Sequence, residues 1–410
     1  MSSILKFSFE IWILAAGRLL SQIGTGFTLF YAPIFFVNQV GLSSTMVGLA
    51  IGSGSISGVL GRFLGGQGAD SPAWGRRKVL LVSAAISALA DVVLALTSDF
   101  PTLVLGNLLM GLGIGIYWPA TEAAIIDLTE PEQRNEAFAI TRLADSLGLS
   151  LGVVLGGALI SNSGNYRSLF IIDGISFAIF FAIIYFAIAE TYQFVEQPSS
   201  NPSNRWLLAL RDRALMVFIL VNILFTTYLA QVQSTMPLYL KNFVVSNAGS
   251  GFSEQTISGL FTWHIAFAAL CQLPVAWLLN RLTWIGGLSL SLMLWGLGFI
   301  LVWVTGTATE STLVWATVTL GLMSLGMVTY TPIASSLVAD LAPESLRGVY
   351  LSISSQCWAI GYFVGPALGG WALDYPQFTN YFWLLCAASV VPGMFILRYL
   401  GRLINLRSAN

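Results

Sequence analysis

Apolar residues run along this chain in blocks of about twenty, separated by short polar turns, with neither the alternation of a half-buried strand nor the single apolar stripe of a soluble helix. A helical block of that length rises 1.5 Å per residue, enough to cross a hydrocarbon core of roughly 30 Å. Twelve such blocks can be drawn: 12–37, 46–69, 78–97, 101–126, 138–162, 168–190, 214–240, 255–279, 284–305, 311–339, 349–373 and 379–400. The pattern predicts an all-α membrane protein of twelve transmembrane helices. The first block resembles a secretory leader in length, but Arg18 interrupts it and no small-residue cleavage site follows, so it is read as span 1.

Composition agrees: 56% of residues are hydrophobic and 9% charged, against about 25% charged in soluble domains. The longest polar connector, ETYQFVEQPSSNPSNRWLLALRDR from Glu190 to Arg213, separates the blocks into two groups of six. Its Pro, Ser and Asn favour an irregular linker, with RWLLALRDR as a short helix at the membrane surface. The expected organisation is a six-helix bundle over 1–190, a cytoplasmic linker over 191–213 and a second bundle over 214–410. Basic residues favour the cytoplasmic side. With both termini inside, thirteen lie there (Lys6, Arg76, Arg77, Lys78, Arg134, Arg205, Arg211, Arg213, Arg281, Arg347, Arg398, Arg402, Arg407) and only Arg167 and Lys241 lie outside.

The two groups are related. One gapless offset, 330 − 117 = 213, aligns Gly113 with Gly326, Tyr117 with Tyr330, Pro119 with Pro332, Asp127 with Asp340 and Arg134 with Arg347. It continues through GLSLGVVLGG (148–157) and GYFVGPALGG (361–370), pairing Gly148, Gly152, Gly156 and Gly157 with Gly361, Gly365, Gly369 and Gly370. Repeats of this kind in a helical membrane protein imply two pseudo-symmetric bundles rocking about a site near the midplane.

Twelve spans in two six-helix halves resemble the major facilitator superfamily of secondary transporters. The local mark is GGQGADSPAWGRRK between spans 2 and 3, similar to that family's G-x-x-x-D-R-x-G-R-R/K signature through Gly66, Asp70, Gly75, Arg76 and Arg77. Ser71 replaces the usual Arg, and two extra residues precede Gly75. The resemblance implies an interdomain latch, in which Asp70 accepts hydrogen bonds from a facing helix or from Arg; the competing reading is a solvated loop that enforces orientation. The glycine segments resemble the G-x-x-x-G-P-x-x-G-G motif of the drug:proton antiporter group. That motif belongs on span 5, yet here it is complete on span 11, with Pro366, and Val153 stands where span 5 would carry proline. Glycines four apart clear a helix face for a close neighbour and a proline bends the helix, so these segments are expected to form a packed, bent contact between bundles.

Ionisable groups inside a membrane are functional candidates by default. Arg18 lies about 9 Å into span 1, at a depth similar to Glu122 and Asp127 on span 4 and to Arg142 and Asp145 on span 5. Arg18 and Arg142 are expected to pair with Glu122 and Asp145, as a proton-coupled gate or as a static network. Asp91, Asp173 and His264 are also intramembrane. In the resembled family, spans 3 and 6 support the cavity rather than line it, so helix packing is the preferred reading for the two aspartates, as it is for the lone histidine. The helices that line the cavity in that family offer Gln22, Tyr31, Tyr117, Trp118, Asn222, Thr226, Tyr228, Gln231, Trp263, His264, Tyr330, Gln356 and Trp358. An aromatic site with few hydrogen-bonding groups suits amphiphilic, cationic compounds better than phosphorylated ones; lipid-facing aromatics are the alternative for any single residue.

Cys271, Cys357 and Cys386 all fall in spans without metal-ligand or disulfide spacing, so free thiols and no metal or cofactor are expected. One histidine and the lack of a phosphate loop argue against an enzyme. Short loops argue against a receptor or assembly factor. The expectation is a monomeric, multi-pass inner-membrane secondary transporter, exporting small drug-like molecules in exchange for protons. Its partners are the substrate, protons and the lipid bilayer, not nucleic acid. A sugar-like metabolite exporter and a proton-coupled uptake symporter remain open.

Overall fold

The computed structural model describes residues 9–130, 134–191, 202–246, 249–279, 281–343 and 346–408. Contacts divide the chain into two units, Met1–Gln197 and Pro198–Asn410. Both are helical. The first unit contains α1 (Phe9–Leu29), α2 (Ala32–Asn38), α3 (Ser44–Ala69), α4 (Gly75–Leu96), α5 (Phe100–Asp127), α6 (Arg134–Ser163) and α7 (Arg167–Ala187). The second contains α8 (Pro202–Leu210), α9 (Arg213–Gln233), α10 (Thr235–Asn242), a two-residue antiparallel pair of β1 (Val245–Ser246) and β2 (Gly249–Ser250), then α11 (Glu254–Leu279), α12 (Trp284–Thr307), α13 (Thr312–Leu341), α14 (Arg347–Leu373), α15 (Pro376–Ala388) and α16 (Val390–Ser408).

Among the described residues, ten stretches are long and apolar enough to cross a membrane. In three of them two helices run on in sequence, as in Phe9–Asn38, Arg213–Asn242 and Pro376–Arg407. The 26-residue α11 and 27-residue α14 are also long enough by residue count, which brings the segments to the twelve that the pattern predicts. The short helix expected in RWLLALRDR is α8. Lys6 and residues 192–201 of the expected linker lie outside the described residues, as do the side chains of Arg134, Arg205 and Arg347.

Helix starts follow local chemistry. Ser43 accepts from Met46 N (3.2 Å) ahead of α3, Asp99 from Thr102 N (2.9 Å) ahead of α5, and Asp212 from Ala214 N (2.9 Å) ahead of α9, each satisfying an N–H that the helix leaves unpaired. Gly75 opens α4 at φ +70°, a backbone conformation that favours glycine.

The sequence repeat reappears as a packing plan. In the first unit α1 packs on α6, α3 and α4 on α5, and α4 on α7; in the second, α9 packs on α14, α11 and α12 on α13, and α12 on α15. Each pair in one unit has its counterpart in the other.

Candidate functional site

The most deeply placed ion pair lies between α1 and α6. Arg18, 3% exposed, donates from Nε to Asp145 Oδ1 at 2.9 Å and from Nη2 to Oδ2, while its guanidinium stands 5.1 Å from the centroid of the Trp118 ring. The planar fork of arginine matches the two carboxylate oxygens. Asp145 remains 19% exposed. The pair is therefore buried on its cationic side and partly exposed on its anionic side.

The larger network expected around this pair does not form. Glu122 and Arg142 are exposed, and neither makes an ion pair among the described residues. Asp127 belongs to a different cluster, with its Oδ2 2.9 Å from Arg76 Nε. Glu122 and Asp127 stand five residues apart on α5, about 140° around a helix of 3.6 residues per turn, so the two carboxylates leave the helix in different directions.

The signature loop is organised around Arg76 rather than around Asp70. Arg76 is largely buried, donates to the Ala69 carbonyl (2.5 Å) and pairs with Asp127, whereas Asp70 is exposed at the end of α3 and 3.4 Å from Arg76 Nη1. Glu190 accepts from the backbone N–H groups of Arg76 (2.8 Å) and Arg77 (3.2 Å), placing a carboxylate on the positive end of α4. Arg77 Nη2 donates to the Tyr185 carbonyl. All of these partners lie in the first unit. Gly66 sits on the last turn of α3, where a Cβ would stand in ordinary contact with Pro119, 3.9 Å away. Sequence reasoning missed Glu190; the available signal was an acid at the junction of an apolar span and the polar connector.

The glycine segments pack within each unit, a correction to the expected contact between bundles. In the first unit Gly148 and Gly152 lie on α1, where a Cβ at Gly152 would stand 2.8 Å from Gly26 Cα, and Gly156 lies against Phe27 and Tyr31. In the second, Gly361 and Gly365 face α9 at Thr226 and Ala230, and Gly369 meets Gln231 on α9 and Thr235 at the start of α10. Gly157 and Gly370 are buried on the same helices, and α14 runs unbroken through the buried Pro366. Gly26 explains the choice of partner: α1 supplies its own small residues to meet those of α6.

Most of the polar residues expected to line a substrate cavity are occupied in helix contacts. Asn222 donates to Ser354 Oγ (3.1 Å) and accepts from Tyr330 Oη (2.5 Å), Thr226 donates to the Cys357 carbonyl (2.8 Å), and Gln231 Nε2 donates to the Gly365 carbonyl (2.8 Å). Tyr228 Oη lies 2.5 Å from Ser389 Oγ, and Tyr31 Oη donates to the Val153 carbonyl (3.0 Å). These five side chains and Tyr330 are at most 2% exposed, because a polar group in an apolar helix bundle is held by whatever partner is near. Tyr117 is packed edge-on against Phe180. Trp263 Nε1 donates to the Thr317 carbonyl (3.1 Å), and His264 Nδ1 lies 2.7 Å from Ser324 Oγ, so both join α11 to α13. Gln22, Trp118, Gln356 and Trp358 keep partial exposure. A cavity of about 820 Å³ lies at one end of the second unit, lined by Trp284, Arg398 and Arg402 among others and by none of the expected substrate residues.

Asp91 on α4 and Asp173 on α7 are each 1% exposed. Asp173 accepts from Thr28 Oγ1 (3.3 Å) and faces Gly24, where any side chain would collide with its carboxyl. Among the described residues, both oxygens of Asp91 are without a hydrogen-bond partner.

A family model described as Major Facilitator Superfamily matches residues 14–250 and 243–403. The chain is 26% identical over 380 residues to "Multidrug resistance protein MdtH" of Aeromonas salmonicida, covering 91% of this chain and 90% of that protein. It is 23% identical to the "Na(+), Li(+), K(+)/H(+) antiporter" of Planococcus maritimus, covering 82% and 83%. Among solved structures, the nucleoside transporter NupG superposes with a TM-score of 0.78 at 15% identity, covering 96% of this chain and 99% of that one. The peptide transporter POT in complex with sulfate superposes with a TM-score of 0.77 at 16% identity, covering 96% and 95%.

Proposed function

Because the chain belongs to the Major Facilitator Superfamily, and is thus a multi-pass membrane transporter, we propose that it exports small amphiphilic organic compounds in exchange for protons by alternating access. The observation that carries this reading is the Arg18–Asp145 pair: a buried guanidinium held by a carboxylate that is still 19% exposed. A proton reaching Asp145 cancels the charge that holds Arg18 and frees the cation beside Trp118. A cationic amphiphile competing for the same carboxylate and the same ring would be exchanged for that proton. The similarity to the Aeromonas salmonicida multidrug resistance protein supports efflux as the direction. The two solved structures support the fold alone. We place the protein in a bacterial inner membrane, acting as a monomer, with both termini on the cytoplasmic side and the Arg76 cluster beneath the first bundle. The expected division into bundles over 1–190 and 214–410 is retained as part of this reading.

The test is export of a lipophilic cationic dye from proteoliposomes driven by an imposed pH gradient. Asp145→Asn is expected to abolish gradient-driven export at normal reconstitution, and Glu122→Gln to leave most of it, because Glu122 is exposed and makes no ion pair among the described residues. Full activity in Asp145→Asn overturns the assignment. A second reading, exchange of alkali cations for protons, is favoured by the similarity to the Planococcus maritimus antiporter. It predicts that sodium alone dissipates the pH gradient in the same vesicles, with no dye present.

A further inference from the structure

Asp91 and Asp173 take no part in the exchange described above, and their setting differs from that of the other described carboxylates in the first unit. Each is 1% exposed in a helix that spans the membrane. Asp91 lies where α4 packs on α7, its Cβ 3.2 Å from where a side chain at Gly174 would begin, so Asp91 abuts the residue next to Asp173. Asp173 turns from there towards α1, into the space left by Gly24, and is met by the hydroxyls of Thr28 (3.3 Å) and Ser176 (3.4 Å). Asp91 has no such hydroxyls: neither of its oxygens has a hydrogen-bond partner among the described residues.

The charged groups on the surrounding helices are engaged elsewhere or exposed. On α1, Arg18 is bound to Asp145. At the start of α7, Arg167 is bound to the Ala95 and Thr97 carbonyls and lies over Phe35. On α4, Arg76 and Arg77 open the opposite end of the helix from Asp91. On α5, Asp127 is bound to Arg76 and Glu122 is exposed. Arg62 on α3 is exposed, Glu10 lies at the far end of α1, and Tyr117 on α5 and Tyr185 on α7 sit in aromatic contacts. None of these cations forms an ion pair with Asp91 or Asp173 among the described residues.

Two neighbouring carboxylates, both excluded from water and without a cation, cannot both keep their charge, because each loses its hydration and repels the other. We propose that the Asp91–Asp173 pair is a proton-binding site, separate from Arg18–Asp145, with the proton on Asp91 in this state and Asp173 held by the hydroxyls of Thr28 and Ser176. Thr28 and Gly24 place the site on α1, the helix that also carries Arg18. A proton is the assigned occupant because it needs no second ligand, and neither Asp91 oxygen has a hydrogen-bonding neighbour among the described residues with which to share a metal ion. The inference deepens the proton-coupled reading and rests on it for any role in transport; the binding of the proton does not.

The test is infrared spectroscopy of the full chain in liposomes at neutral pH, with no gradient and no substrate. The wild type is expected to show a protonated-carboxyl C=O stretch that moves down in D₂O. Asp91→Asn is expected to remove it and Asp145→Asn to retain it, and Asp173→Asn, which relieves the repulsion, is expected to weaken it. Absence of the band in the wild type, its persistence in Asp91→Asn, or its removal by sodium at constant pH overturns the proposal. Dye export is read separately in the same vesicles, so a failed exporter with an intact band refutes the coupling and not the site.

Discussion

The two halves share one packing plan and hold it together by different chemistry. In the first half, ionisable groups sit inside the helix bundle: Arg18 on Asp145 between α1 and α6, and the buried carboxyls of Asp91 and Asp173. In the second, no ion pair lies in the equivalent interior among the described residues. Asn222, Tyr330 and Ser354 tie α9 to α13 and α14, and His264 with Ser324 ties α11 to α13. Its ion pairs stand at helix ends, where Asp212 meets Arg407 (3.1 Å) and Lys241 meets Glu254 (2.7 Å). Interior charges cost more to bury than hydrogen-bonded amides and hydroxyls. Keeping them is the costlier choice, and it is on these interior groups that the proposed proton exchange rests.

The sharpest way to break this comparison is to remove one cation from each half. Arg18→Leu leaves Asp145 without its partner and is expected to destabilise the protein by about 3–5 kcal/mol. Arg407→Leu, at a half-exposed surface pair, is expected to cost at most about 1 kcal/mol. Denaturant melts in detergent measure both. Restoring stability with Arg18→Leu/Asp145→Leu, without restoring export, would separate the structural role of the pair from its transport role. Equal effects of the two single substitutions would remove the distinction between the halves.

Glycine contacts come next in size. Gly152→Ala would press a methyl group onto the backbone of α1 at Ile23 and Gly26, whereas Gly365→Ala meets the Ala230 methyl at 2.7 Å and the Thr227 carbonyl at 3.1 Å. Overpacking of this kind costs about 1–3 kcal/mol, and the first-half substitution is expected to lie at the upper end, since two backbones have less freedom to yield than two methyl groups. A smaller effect belongs to the second half. Tyr330→Phe removes the donor to Asn222 Oδ1 and is expected to cost about 1–2 kcal/mol, with dye export retained if that residue serves helix packing alone.

Spans, repeat and glycine motif were legible in the sequence because each is written in local spacing. The positions of Arg18 and Asp145 were legible as well, since a charge inside an apolar block stands out. Partner choice was not. Asp127 and Glu122 lie five residues apart on one helix, yet one meets Arg76 and the other is exposed, a difference set by the rotation of α5 against its neighbours. The helix carrying Asn222, Thr226 and Gln231 looked like a substrate wall because polarity in a span has two causes, a ligand or a neighbouring helix, and the residue types are the same for both. Asp91 and Asp173 were set aside for the converse reason. Only the fold brings α4, α7 and α1 together around them.

The smallest effect tests the comparison at equivalent helix starts. Adding the repeat offset to α5 gives α13, and the two begin differently. Asp99 caps α5, accepting from Thr102 N at 2.9 Å and from the Thr102 hydroxyl at 2.8 Å, whereas Ser311 precedes α13 at φ +56° with no side-chain cap. The backbone and hydroxyl donors of Thr102 hold the Asp99 carboxyl below the usual carboxylate range. An unfolded aspartate titrates near about 3.9. A group depressed in the folded state contributes its stability above that value and loses it as the pH falls through the folded value. Acid should therefore loosen the start of α5 below about pH 4 and leave the start of α13, which has no titrating cap, unchanged. Melting temperatures from neutral to acid pH check this. Asp99→Asn, which keeps an acceptor oxygen but does not titrate, is expected to flatten the acid limb slightly and to leave the neutral limb unchanged. The same change at Ser311 is expected to leave both limbs alike, and an acid limb unaltered by Asp99→Asn would show that the cap adds nothing there.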